Sequence, residues 1–249
     1  MINVGSATNS HPARTLVMGV VNVTPNSFSD GGMWADPEVA IRHARDLVVE
    51  GADIIDVGGE STRPGTERTP EHEELRRVLP VVKALVADGV AVSVDTMRAS
   101  VAKAVVEAGA TIVNDVSGGK AEPGFLDVVS DARLGCVLLA GRGQSATMQN
   151  LVDYDDVVAD VISETSQQVD AAIAAGIDRR RIIVDPGIGF SKTSEHNWQL
   201  MNAVDAFQEG FADLRVLWGV SRKRFLGELL SQNGEDRPDG ARVSLSDLT

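Results

Sequence analysis

The chain has 249 residues, with 36 acidic against 23 basic side chains and a formal net charge of −13. That balance excludes a basic nucleic-acid surface. The single cysteine, Cys136, excludes a disulfide framework or a Cys-rich zinc site, and no apolar run reaches the ~18 residues of a membrane helix. The length suits one α/β barrel of about 250 residues. Residues 1–14 lack an apolar signal core and read as a tail, so the expectation is one domain over 15–249 in a cytoplasmic protein.

Short β-branched runs alternate with longer segments of helical period. Strands are predicted at 16–23, 52–57, 90–94, 111–116, 135–139, 181–185 and 215–220. Helices are predicted at 37–50, 71–88, 98–108, 123–131, 153–175 and 195–208, and another begins near Arg222. Gly51, Gly89, Gly109 and Gly176 stand where helix C-caps belong. Alternating β and α elements with continuously apolar strands indicate a parallel sheet covered on both faces. A barrel and an open doubly wound sheet both satisfy that pattern. Nearly every strand ends in polar residues, namely Asn22, Asp56, Asp95, Asn114 with Asp115, Asp185 and Ser221. A barrel gathers all such ends at one mouth, whereas an open sheet uses only its switch point, so the pattern favours the barrel.

Six segments carry candidate chemistry. NVTPNSFSDGG at 22–32 leaves the first strand, and the Asn22 amide oxygen suits a hard cation such as Mg²⁺. In DVGGESTRPG at 56–65, glycines permit close backbone approach while Thr62 and Arg63 suit an anion. A turn explains those glycines but not the run from Glu60 to Arg63. Asp95 in SVDT and Asn114 in NDVSGG end successive strands. A carboxylate accepts two parallel N–H bonds and an amide both donates and accepts, which fits a heterocycle such as pterin or guanine. Helix capping is the plainer reading of Asp95. DPGIGFSK at 185–192 places Asp185 at a strand end with Phe190 as an apolar face. GVSRKRF at 219–225 puts Ser221, Arg222, Lys223 and Arg224 beside those carboxylates. No Ser/His/Asp triad, zinc spacing or Walker loop is present, and no GxGxxG follows the first strand.

These segments, in this order across roughly 16–232, resemble the dihydropteroate synthase family, most closely its actinobacterial members. The resemblance implies a (β/α)8 TIM barrel, usually a homodimer. It also implies an Mg²⁺-dependent transferase of folate biosynthesis that sulfonamides inhibit. That family joins 4-aminobenzoate to a dihydropterin diphosphate and releases pyrophosphate. By the same resemblance Asn22 holds Mg²⁺ with the diphosphate, and Asp95, Asn114, Asp185 and Lys223 hold the pterin, with Asn22, Asp95, Asp185 and Lys223 as the catalytic set. Thr62, Arg63, Pro64, Phe190, Ser221 and Arg222 line the substrate site, with Phe28 in a first mobile loop and a second loop over about 61–69. Two departures stand out. Ala140 occupies a position where the family usually has His. The family also continues past the seventh strand with a helix, an eighth strand bearing Arg-x-His and a last helix, which Thr249 precedes. The expectation is a seven-stranded sheet with two unpaired edges that is unstable or weakly active unless those elements are supplied. Two other readings compete with catalysis of this reaction. One is a non-catalytic paralogue that binds pterin or a partner, and the other is a pterin-binding methyltransferase domain.

Overall fold

The computed structural model describes residues 14–24, 36–62, 68–143 and 150–232. Strand β1 (Met18–Asn22) leads to α1 (Pro37–Val49), β2 (Ile54–Gly58), α2 (Glu71–Ala87), β3 (Ala91–Asp95) and α3 (Ala99–Glu107). The alternation continues through β4 (Ile112–Asp115), α4 (Phe125–Asp131), β5 (Gly135–Leu139), α5 (Val157–Ala174) and β6 (Ile182–Asp185). It ends with α6 (Ser194–Asn202), α7 (Val204–Gly210), β7 (Arg215–Val216) and α8 (Arg224–Gln232). All seven strands are parallel, and each pairs with the next in sequence. A doubly wound sheet reverses its order at a switch point. Here the order never reverses, so the sheet curls one way, as in a (β/α)8 barrel. Among the described residues, β1 pairs only with β2 and β7 only with β6.

Strand parity divides the side chains. Val21, Val57, Val94, Val113, Leu138 and Val184 face outward into two cores beneath the helices. Ile54, Ile112, Val137 and Ile183 face inward and close the barrel floor, with Met18, Ala91 and Leu217 packed against them. Val20 shares the inward face of β1 with Met18 yet is 52% exposed, because no strand covers that side among the described residues. Above the floor the inward positions turn polar, which is where a barrel places its site.

The predicted C-cap glycines Gly51, Gly89, Gly109 and Gly176 all adopt positive φ after their helices. The starts of α1 and α5 are capped by aspartate side chains. Asp36 accepts from Glu38 N–H, with Pro37 opening α1, and Asp156 accepts from Val158 and Ala159 N–H. That cap starts α5 at Val157, four residues later than periodicity suggested. The predicted helix over 195–208 is two helices. Ala203 (φ −109, ψ 27) breaks it, and the break turns both Leu200 of α6 and Phe207 of α7 into one core. The seventh strand is also shorter than predicted. Leu217 still bonds Val184, but β6 ends at Asp185 before Pro186, which has no N–H for a longer ladder.

Gly187 has φ +69, and a Cβ there would lie 2.0 Å from the Ala140 carbonyl oxygen. Gly187→Ala therefore meets both a disfavoured backbone region and a rigid backbone clash. The expected cost is about 3 kcal/mol, read as a lower urea midpoint. An unchanged midpoint would show that the β5 and β6 ends separate freely.

Candidate active site

Four inward positions sit at one level of the sheet. Asn22 is in register with Gly58, Gly58 with Asp95, and Asp95 with Asn114. The missing side chain at Gly58 opens the space between its neighbours. A Cβ built there would lie 3.2 Å from Asn22 Oδ1 and 3.7 Å from Asp95 Oδ2. Asn114 turns inward and donates from Nδ2 to Asp56 Oδ2 at 2.9 Å. Its neighbour Asp115 faces the other way and organises the β4–α4 loop, accepting from Ser117 N–H at 2.8 Å and from Gly119 N–H at 2.5 Å. Asp95 does not cap α3. Thr96 Oγ1 accepts from Arg98 N–H, and Glu122 accepts from Ala99 N–H. Asp95 is thus left for the mouth.

The opposite wall comes from the β6 and β7 ends. Asp185 is 6% exposed and accepts from Gly187 N–H at 2.7 Å. Lys223 turns inward and lies 4.4 Å above the Phe190 ring, a cation–π contact. Gly189 makes room for it, since a Cβ there would be 3.0 Å from Lys223 Cδ. Ser221 and Arg222 are exposed in the turn before Lys223, and Arg224 pairs outward with Glu228. Of the three consecutive cations, only Lys223 enters the site. Thr62 is half-buried at the β2 end. Phe28, Arg63 and Pro64 lie outside the described residues.

Electrostatics follows from burial. Desolvation raises the carboxyl of Asp185 to about 6, partly offset by the Gly187 N–H and the charges of Lys223 and Lys192. Desolvation and then the charges of Asp56, Glu74, Asp115 and Glu60 push Asp95 well above its ordinary range. Burial also lowers Lys223, against the pull of Asp185 and Asp95. Such groups gain from a ligand that brings donors to the carboxylates.

The structure gives roles to three residues that the sequence left without one. Asp56 is 4% exposed and raised by burial. It shares the inward face with Gly58, a placement that strand parity alone could have signalled. Lys192 is buried, lowered by desolvation to about 7, and donates to Ala140 O at 2.9 Å and Phe190 O at 3.1 Å. It ties the Phe190 loop to the end of β5. Arg98 explains Glu60. Glu60 pairs with Arg98 at 2.9 Å and Arg68 at 3.0 Å, and accepts from Thr69 N–H at 3.1 Å. Glu60 is therefore an anchor of the loop after β2 rather than a ligand group.

The mouth also bears on magnesium. No cluster of three or more His, Cys, Asp or Glu that could hold a metal exists among the described residues. Asn22 is exposed at its strand end and offers one hard oxygen beside Asp95. That donor set fits Mg²⁺, which keeps most of its shell as water and substrate phosphate.

Fold and site together define a barrel enzyme whose mouth brings buried carboxylates and a lysine together. A family profile described as pterin binding enzyme matches residues 18–246. Dihydropteroate synthase of Mycobacterium leprae (strain TN) is 50% identical over 232 residues, 92% of this chain and 81% of that protein. Xanthomonas albilineans dihydropteroate synthase with 4-aminobenzoic acid superposes with a TM-score of 0.81 at 46% identity, covering 91% of this chain and 79% of that one. Dihydropteroate synthase from Xanthomonas albilineans in complex with 7,8-dihydropteroate gives a TM-score of 0.77 at 43% identity over the same shares, 91% and 79%. The chain belongs to the dihydropteroate synthase family of pterin-binding enzymes, transferases of folate biosynthesis.

Proposed function

We propose that the chain condenses 4-aminobenzoate with (7,8-dihydropterin-6-yl)methyl diphosphate, giving 7,8-dihydropteroate and pyrophosphate. The convergence of Asp95, Asn114, Asp185 and Lys223 in one mouth carries this reading. Asp185 accepts the amidine-like edge of the pterin, Asn114 pairs with a neighbouring edge, and Asp95 accepts a ring N–H. Lys223 opposes charge on the ring and lies over Phe190. The exposed face of this pair, with Thr62, Ser221 and Arg222, lines the approach of the aminobenzoate. Mg²⁺, held through Asn22 and the diphosphate, neutralises charge on the leaving group when bound. The aniline nitrogen is already nucleophilic, so the site needs alignment with the pterin methylene more than a strong base.

The buried Cys136 needs no oxidising compartment, which supports a cytoplasmic location. The family relationship supports a homodimer, to be read by light scattering.

Pyrophosphate release by the chain, dependent on both substrates and on Mg²⁺, tests the reading. Pterin binding with no release would favour the non-catalytic alternative. Binding of methyltetrahydrofolate without aminobenzoate would favour the methyltransferase alternative.

A pH dependence follows. Asp185 accepts two parallel N–H bonds from the pterin edge only when ionised, and burial raises its carboxyl to about 6. Pterin affinity is expected to be flat above that value and to fall as pH drops through it. Lys223 lowers the Asp185 carboxyl, so Lys223→Met is expected to move the inflection upward. Pterin fluorescence titrations from pH 5 to pH 8 read both. An inflection that stays in place in the variant would separate Lys223 from Asp185.

A further inference from the structure

The barrel interior holds a polar layer that substrate contacts alone do not explain. Asp56 and Ser93 are register partners on β2 and β3, both buried, and Asn114 lies beyond them on β4. Asp56 Oδ1, Ser93 Oγ and Asn114 Oδ1 are buried with no partner among the described residues. Groups left unpaired in this way cost free energy unless something later uses them. Within the layer Asn114 Nδ2 donates to Asp56 Oδ2 at 2.9 Å, and the Ser93 hydroxyl stands beside the same carboxyl.

That bond fixes a direction. The donor is Asn114 Nδ2 and the acceptor Asp56 Oδ2, so the amide end facing Asp56 is the NH₂. Flipping the amide would set two oxygens against each other. The Asn114 side chain therefore keeps one N–H and its Oδ1 for a ligand, in a set order.

We propose that Asp56 is a positioning residue that pins the Asn114 amide and thereby sets the order of donor and acceptor the site reads on its heterocycle. The inference rests on the pterin reading above and names what makes it selective. The pinned amide matches an edge where a ring-nitrogen acceptor stands beside an exocyclic amine, as in a 2-aminopterin. The 2-oxo counterpart, a lumazine, presents the reverse order of ring N–H and carbonyl oxygen, and only a flipped amide would accept it. The Asp56 bond sets the cost of that flip. A hydrogen bond to a charged group shifts such an equilibrium by about tenfold or more.

The test is titration of the full chain with 6-hydroxymethylpterin and with 6-hydroxymethyllumazine. Asp56→Asn keeps the shape but accommodates Asn114 in either orientation. Pterin affinity is then expected to stay within about twofold, since half the amides remain correctly oriented. Lumazine affinity is expected to rise about fivefold or more as the flip penalty disappears and half the amides stand flipped. In an Asn114→Ala background, Asp56→Asn should leave the pterin-to-lumazine ratio unchanged. A purely structural Asp56 predicts losses for both ligands and no gain for either. An unchanged ratio in Asp56→Asn, or the same change with and without Asn114, would overturn the inference alone. Failure of the unaltered chain to bind the pterin would overturn the pterin reading and the inference with it.

Discussion

Replacing Asp185 with asparagine is expected to abolish most turnover while raising the melting temperature. The two effects share one cause. Asp185 is buried at the β6 end, and desolvation lifts its carboxyl to about 6. A carboxyl raised in the folded state binds its proton more tightly there than in the unfolded chain. The stability this proton supplies is present at low pH and lost as pH rises through about 6. At neutral pH the ionised group therefore costs stability, and a neutral amide removes that cost. A chain of this size gains about 2–4 °C for each kcal/mol recovered. Function moves the other way. One oxygen becomes an NH₂ facing a ring that itself presents N–H groups. The bidentate pair becomes a donor–donor conflict, and kcat/KM should fall by about a hundred- to ten-thousandfold. Asp185→Ala should lose similar activity without the conflict. Differential scanning calorimetry and a pyrophosphate assay read the two quantities separately. A variant that is both active and unchanged in melting temperature would remove Asp185 from the site.

The second large effect concerns Arg98, which touches no substrate. Its guanidinium donates to Glu60 at 2.9 Å, to Glu74, and to the Thr69 carbonyl at 2.6 Å. The side chains of Arg98, Glu60 and Glu74 are 12%, 8% and 1% exposed. Arg98→Met leaves Glu74 buried with only the Thr96 hydroxyl at 2.6 Å. Breaking one partner from such a cluster costs about 3–5 kcal/mol. Burial already raises Glu74, and Arg98 lowers it. The Arg98 contribution is thus present where Glu74 is ionised and is lost as acid protonates it. The stability gap between the parent chain and Arg98→Met should narrow as pH falls. Adding Glu74→Gln to Arg98→Met should restore part of the loss. Urea unfolding at neutral and acid pH measures each step. A gap below about 1 kcal/mol, the range of surface pairs, would mean the network is solvated in solution.

That network also corrects the reading of the β2 loop. The run from Glu60 to Arg63 looks like a set of ligand groups because four polar residues follow two glycines. Glu60 instead answers Arg98 from the start of α3 and Arg68 from its own loop. No spacing rule predicts a partner 38 residues away.

Much else was legible from the chain alone. Short β-branched apolar runs and the helical period located seven strands and their helices, because a strand covered on both faces is continuously apolar and a helix with one buried face repeats at 3.6. Glycines after helices marked C-caps because left-handed backbone excludes most other residues. Polar residues at successive strand ends announced a barrel mouth before the sheet order was known. The resemblance of the ordered motifs to one family added the reaction.

What remained for the tertiary structure was direction and partnership. Asp115 and Asn114 are adjacent in sequence, yet one builds a loop and the other faces the mouth. Arg222, Lys223 and Arg224 form one cationic run, yet a left-handed turn at Arg222 (φ +54) sends Lys223 alone toward Asp185. Lys192 becomes a buried tie between loops only because the β5 and β6 ends lie side by side. The sequence by itself determined the elements and the chemistry available at their ends, since both follow from local pattern and residue type. Only the tertiary structure decided which of those groups meet, since that depends on strand register, side-chain parity and contacts between residues far apart in the chain.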